Sequence, residues 1–542
     1  MVFGSATSGI RPFALLTLLC ALLFLPGLAS IPPTDRDEAR FMQASKQMLE
    51  SGDWVHLRFQ DEPRNKKPAG IYWMQATSVK IFGQDPTVAW PYRLPSVLMA
   101  WLAVLATCWC GTRLFNREAG LAAGAILATS MMTIIEAHIA KTDAALLGCT
   151  ALSMAMLAQH YTATRPSLVT ALLFWFSLGI GILIKGPVIL LVVGGTILTL
   201  GVADRRWTWL KTLRPLTGIA LTLVVVLPWL MAISSSNQSS FVADSIQQDL
   251  LPKLLGAQES HGAWPGTYLV TALATLWPWS YLAPFALVLA WRHRAEPVVR
   301  FCLAWLIPAW IVFELVPTKL PHYTLPLYPA LALLTAWAFS LKDEPLRRTF
   351  NTLWGTLYFL LWAVVCSGLA IGVAYATGHY GGPPLGAAVA GLALGLGGLA
   401  ILMQRKANPL IGLVGAGSLL GVSLTTLVVP NLTDLAVSPR IAAIAAQHSL
   451  QNGKLPPIAL VGYHEPSAVF LLGTDTLLTD ENGAGDFLSQ RPGALAVVPA
   501  DISANIKAKL ENRGQRVQEL GVVEGTNYSR GKPVRLVILG TQ

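Results

Sequence analysis

The chain has 542 residues, of which 53% are hydrophobic and only 13% charged, with a mean hydropathy of +0.53. Soluble domains carry about a quarter charged residues, and a chain of this length split into roughly three or four of them would lack the polar surface to cover each. An ordinary soluble enzyme is excluded, and an α-helical polytopic membrane protein is expected.

Thirteen apolar stretches have lengths near the roughly 17–25 residues that cross a hydrocarbon core. They are 13–31, 94–113, 119–136, 144–161, 167–184, 186–203, 215–233, 267–290, 298–316, 322–341, 352–376, 384–403 and 409–429. The first has the Arg11 flank and the Leu28-Ala29-Ser30 ending of a signal peptide, but it is long for one and is read as a span. Short loops on one side hold Arg113, Arg117, Arg205, Arg206, Lys211, Arg214, Arg292, Arg294 and Arg300. Those on the other hold little beyond Lys141, Lys185 and Lys319. The excess of Lys and Arg marks the cytoplasmic side, so the N-terminus is placed there and the C-terminus outside. The same rule accounts for most of the +10 net charge; the remainder suits anionic substrates. The six cysteines all lie in apolar runs and read as core residues, without disulfide or zinc spacing.

Two long outer loops, 32–93 and 234–266, interrupt the span-bearing part, residues 1–430. The segments 38–48 and 71–82 have helical apolar spacing but are too short to span, so interfacial helices are expected there. Residues 431–542 read as a small outer, periplasmic α/β domain. Its expected strands are 458–463, 467–472, 494–498 and 534–539, and its expected helices 441–450 and 502–511. With no glycine-rich phosphate loop and no nucleophile elbow, it is taken as accessory.

Ionisable residues near a membrane are functional candidates. Asp35, Asp37, Glu136, His138, Lys141, Asp143, Lys185, Glu314, Lys319 and His322 all fall at the outer ends of spans. Lysines bind phosphate oxygens as point charges and a carboxylate can take a proton from a nucleophile, so this collection suits a reaction on a phosphorylated substrate. Glu136 and His138 do not share a helical face and are not taken as a unit.

The motifs in order are Asp37-Glu38-Ala39-Arg40-Phe41, Ser51-Gly52-Asp53-Trp54, Lys67-Pro68 before Tyr72-Trp73, Lys141-Thr142-Asp143, Lys185-Gly186-Pro187 and Lys319-Leu320-Pro321-His322-Tyr323. In this order and spacing, over residues 20–340, the chain resembles the polytopic glycosyltransferases that use polyprenyl-phosphate sugars. These include the aminoarabinose transferases of lipid A and the protein mannosyltransferases. The resemblance implies a GT-C-like membrane fold with about 13 transmembrane helices and an outer C-terminal domain. It further implies transfer of a sugar from a polyprenyl-phosphate donor to an envelope acceptor such as lipid A, on the periplasmic face of a bacterial inner membrane. Inversion would occur by single displacement, without nucleotide or nucleic acid. By the same resemblance Asp37 is the base and Asp143 a second acid, with Arg40, Lys67, Lys185, Lys319 and Tyr323 on the substrate side. Asp37 would be held at the start of its helix, whereas Asp35 is read as a solvated loop acid.

The pattern departs at Lys66, where relatives carry an acid, at Ala69 for a proline, and at Gln248 and Lys253 for a histidine and an arginine. The acid and the histidine are linked to metal binding, so no bound metal is expected. A secondary transporter or lipid flippase is the alternative, with the Gly/Pro-interrupted segment 378–384 as a broken helix; scarce midplane charge and the lack of an inverted repeat weigh against it.

Overall fold

A computed structural model describes residues 9–83, 85–162, 167–235, 241, 262–341, 352–403, 409–448 and 455–541. Helices dominate the first four-fifths of the chain. The order is α1 (Arg11–Phe24), α2 (Asp37–Ser51), α3 (Gly70–Phe82), α4 (Trp90–Leu114), α5 (Arg117–Thr129), α6 (Met131–Ala137), α7 (Thr142–Thr162), α8 (Leu168–Lys185), α9 (Val188–Asp204) and α10 (Pro215–Ser234). Further helices follow at Thr267–Thr275, Ala283–Arg292, Pro297–Leu315, Tyr328–Ser340, Leu353–His379, Pro384–Leu402 and Pro409–Ser423.

Among the described residues, seven helices are long and apolar enough to cross a membrane singly. The pair α5 and α6, bent by 62°, makes an eighth if taken together. The chain is a multi-pass membrane protein. All thirteen apolar stretches coincide with helix, but several are short or broken. Pro278 falls where 267–290 divides into two helices, and Pro321 and Pro326 turn the start of 322–341 into a 3-10 helix, Pro321–Leu327. Proline supplies no amide hydrogen and clashes with the preceding turn.

Helix α7 is the centre of the bundle, packed on α4 and α8. Its small residues allow this: a Cβ on Gly148 would sit 2.6 Å from the Met99 carbonyl oxygen of α4. Gly70 does the same at the start of α3, where a Cβ would lie 2.7 Å from the Leu183 carbonyl oxygen. The stretch that follows Lys67 is thereby seated against the end of α8, next to Lys185. The interfacial helices expected at 38–48 and 71–82 are α2 and α3, joined by a Ser45–Gln75 hydrogen bond of 2.7 Å and by the Phe41 and Tyr72 rings. Between them lies a short hairpin, β1 (Arg58–Phe59) with β2 (Glu62–Pro63).

The C-terminal part contains β3 (Ile458–Val461), β4 (Leu477–Thr479), β5 (Leu495–Pro499), β6 (Val517–Asn527) and β7 (Lys532–Thr541), in the order β4-β3-β5-β7-β6. Strand β3 is parallel to β4 and β5, and β7 is antiparallel to β5 and β6. Ile458 and Leu460 enter one apolar layer and Ala459 and Val461 the other, the two-residue alternation of a sheet covered on both faces. The run 467–472 is not a strand: Pro466 opens a helix, Pro466–Leu472. Proline at the first helical position costs no hydrogen bond, and a six-residue apolar run does not discriminate strand from buried helix.

Candidate active site

The first outer loop is held from below by one buried ion pair. Glu38 and Arg93 meet at 2.7 Å with both side chains fully buried. The remaining Arg93 protons go to the carbonyls of Leu28, Ile31 and Pro32. Glu38 also accepts from the Thr34 amide and hydroxyl at 2.8 and 2.7 Å and from the Ala140 amide at 2.9 Å. Burial alone would raise the Glu38 carboxyl; Arg93 and these donors outweigh it and hold it below its ordinary value. One carboxylate thus fixes Thr34, the start of α2 and the turn before Lys141.

Asp37 opens α2 beside this hub and is exposed. It is not held as the sequence suggested: no hydrogen bond ties its carboxylate among the described residues. Asp35 differs from expectation in the other sense. It is half-buried, and its Oδ1 accepts from the Ser467 amide at 3.0 Å. Burial pushes its carboxyl up to about 6, opposed by Ser467 and Arg40 and reinforced by Glu465.

Beyond Ala140, four segments converge. Lys141 Nζ lies 2.9 Å from Glu136 Oε1, 3.7 Å from Asp143 Oδ2 and 3.2 Å from His322 Nδ1. Lys185, the last residue of α8, lies 2.5 Å from Asp143 Oδ1 and sits 5.1 Å from the centroid of the Tyr323 ring. His322 is 3.7 Å from both Glu136 and Asp143. The 3-10 turn made by Pro321 and Pro326 puts His322 and Tyr323 over the pair. Burial alone would lower the Lys141 ammonium; Glu136 and Asp143, with a smaller contribution from Asp37, outweigh it and hold it above its ordinary value. Asp37 is therefore within electrostatic range of the cluster. Glu136 Oε2 is buried with no hydrogen-bond partner among the described residues.

The expected site residues are thus distributed unevenly. Asp143, Lys185 and Tyr323 come together. Arg40 acts on Asp35, and Lys67 is half-buried on the loop that Gly70 seats beside α8. Lys319 is buried and donates to the carbonyls of Val316 and Ala263 at 2.6 and 3.1 Å. Gln248 and Lys253 lie outside the described residues. Sequence reasoning set Glu136 aside and gave no role to His322 or Arg93. The signal for Glu136 was its five-residue distance from Lys141 across a turn. His138, as expected, is not its partner and bonds the carbonyls of Ile134 and Pro26. Glu314 accepts from the Gly266 and Tyr268 amides, an ordinary helix-start contact. No group of three or more His, Cys, Asp or Glu residues arranged to hold a metal is present among the described residues. All six cysteines are buried and unpaired.

A buried set of two carboxylates and two ammoniums is costly to desolvate, and its place at one end of the bundle makes it the candidate site. Residues 66–231 match the family described as dolichyl-phosphate-mannose-protein mannosyltransferase.

Among curated proteins, the chain is 29% identical over 336 residues to undecaprenyl phosphate-alpha-4-amino-4-deoxy-L-arabinose arabinosyl transferase 2 of Pseudomonas fluorescens (strain Pf0-1), covering 61% of this chain and 60% of that one. It is 28% identical over 365 residues to the transferase of Pectobacterium carotovorum subsp. carotovorum (strain PC1), covering 65% and 64%. The match thus spans about three-fifths of these relatives' length.

Two solved structures of ArnT from Cupriavidus metallidurans, in the apo state and bound to undecaprenyl phosphate, align with a TM-score of 0.76. Identity is 20% and 19%; the apo alignment covers 99% of this chain and 98% of that one, and the bound alignment 98% of each. The fold is therefore the ArnT fold, and the resemblance read from the sequence is borne out: the chain is related to the polyprenyl-phosphate-sugar glycosyltransferases.

Proposed function

We propose that this chain moves a sugar from a polyprenyl-phosphate donor to an envelope acceptor, with lipid A as the leading candidate. The donor to try first is the undecaprenyl-phosphate aminoarabinose named for the curated relatives. The observation that carries the reading is the Asp143–Lys185–Tyr323 arrangement beside Lys141, at the same end of the bundle as Asp37 and within the ArnT fold.

In the reaction, the acceptor oxygen attacks the anomeric carbon as the bond from that carbon to the donor phosphate breaks, with inversion. The acceptor proton passes to Asp37 and the polyprenyl phosphate departs with the bonding electrons. Asp37 suits the base because its carboxylate is exposed and uncommitted, whereas Asp143 is already spent on Lys185, Lys141 and His322. Lys185 and Lys67, with the Tyr323 hydroxyl, are assigned to the departing phosphate, and Arg40 to support of the first loop. Lys319 would have to release its two carbonyls to join them.

In the same reading the chain crosses a bacterial inner membrane thirteen times, with the N-terminus cytoplasmic. Residues 1–430 form the transferase domain, including outer loops 32–93 and 234–266, and 431–542 a periplasmic α/β domain. The test is transfer by the purified full chain from a defined polyprenyl-phosphate sugar to lipid A, followed by mass spectrometry. Sugar-modified product supports the reading. Solute or lipid movement in vesicles without transfer contradicts it.

A further inference from the structure

The residue between Asp35 and Asp37 has an unusual backbone. Arg36 adopts φ 64° and ψ −101° and is the residue at which α2 begins, with no side-chain cap. Such a conformation is strained for a non-glycine residue and persists where the surroundings over-determine it. What surrounds it comes from the far end of the chain. The Asp35 amide donates to the Tyr528 hydroxyl, the Arg36 guanidinium donates to the Ser529 carbonyl, and Asp35 Oδ1 accepts from the Ser467 amide.

Tyr528 and Ser529 form the turn between β6 and β7, and Ser467 lies in the helix Pro466–Leu472. The two are braced together where Asn527 donates to Glu465 at 2.7 Å, and the Ser467 hydroxyl donates at 2.6 Å to Ser438 of the helix Val437–Gln447. A cavity of about 200 Å³ lined in part by Pro33, Asp35, Ser438 and Tyr528 adjoins these contacts, giving a released loop space to move into. On the other side of Asp37 the Glu38–Arg93 pair is rigidly anchored.

We propose that Tyr528 and Ser467 of the C-terminal domain are positioning residues for the transfer reaction. By pinning Asp35 and Arg36 they hold the strained step that presents the Asp37 carboxylate. The domain is then part of the catalytic apparatus and not an accessory to it. This rests on Asp37 being the base. Misplacing a reacting group by about 1 Å can cost on the order of 100-fold, and the effect falls on turnover because donor contacts lie elsewhere.

The experiment uses the full-length protein with a defined polyprenyl-phosphate sugar and compares Tyr528→Phe, Asp37→Asn and the double variant. The expected result is a fall of about 10- to 100-fold in kcat for Tyr528→Phe, with donor KM within about twofold of wild type. In the Asp37→Asn background, Tyr528→Phe should cause no further loss. Wild-type kcat in Tyr528→Phe, or an equal further loss on Asp37→Asn, overturns the positioning role. Wild-type turnover in Asp37→Asn instead overturns the base assignment. A second measurement does not need activity: the thiol of Asp37→Cys should react at a different rate with a charged methanethiosulfonate once Tyr528→Phe is added. An unchanged rate also overturns the proposal.

Discussion

Lys185 and Asp143, 42 residues apart in the chain, meet with ammonium and carboxylate 2.5 Å apart, and the face of Tyr323 covers the ammonium. The contact joins the end of α8 to the first turn of α7, and the Tyr323 ring brings in the proline-rich turn. A phosphate arriving here would find a lysine already oriented, and its charge would replace part of what Asp143 supplies.

Breaking this pair from the acidic side leaves Lys185 and Lys141 under-compensated in a buried site. Removing one partner of a buried ion pair costs about 3–5 kcal/mol. Asp143→Asn should therefore lower the unfolding temperature in detergent clearly. Asp143→Asn combined with Lys185→Met should recover part of the loss. A double variant less stable than Asp143→Asn alone would contradict the pairing.

The same reasoning applies more strongly at Glu38. Its two oxygens hold Arg93, Thr34 and Ala140. Glu38→Gln should destabilise by a similar ~3–5 kcal/mol and depress turnover, because both Asp37 and Lys141 are placed through it. Thermal unfolding and kcat measured together check this; loss of neither would remove the hub.

Some of this was legible in the sequence. Asp143 and Lys185 stand out because the ionisable residues collect at the outer ends of spans, and Tyr323 through its place in the motif Lys319–Tyr323 that carries the family resemblance. Glu136 has no partner in the sequence reading because His138, two residues on, does not share its helical face, while its actual partners, Lys141 and His322, depend on how a turn and a proline-rich 3-10 segment fold. The contact of Asp35 with Tyr528 joins residues 493 positions apart, beyond the reach of any local pattern. The helix Pro466–Leu472 was misread because six apolar residues fit either period; Pro466 was the overlooked signal.

The Asp35 carboxyl supplies a pH prediction. Its pKa in the fold is about 6 against an ordinary 3.8. A group raised on folding adds stability below its unfolded value and loses it as pH rises through the folded value. The wild-type chain should thus lose on the order of 1–3 kcal/mol relative to Asp35→Asn as pH rises from about 4 to 7. Unfolding of both proteins across that range reads the difference directly, and a flat difference would show that Asp35 does not titrate there.

Lys67 and Lys319 should separate. Lys67→Met removes a cation assigned to the donor phosphate, so donor KM should rise by about tenfold, the equivalent of ~1.4 kcal/mol. Lys319→Met removes bonds to two carbonyls and should lower stability as well. Equal donor KM for Lys67→Met and wild type would take Lys67 out of the donor site.

The base assignment is tested most directly by turnover of Asp37→Asn. Asparagine keeps the size of the side chain and removes its basicity. With purified protein, matched expression and a defined polyprenyl-phosphate sugar, kcat should fall by roughly 10²–10⁴-fold, the scale of general acid–base catalysis. Donor binding should be retained, and Asp35→Asn, which can still accept from Ser467, should lose far less. Wild-type turnover by Asp37→Asn would contradict the account and make Asp143 the leading base.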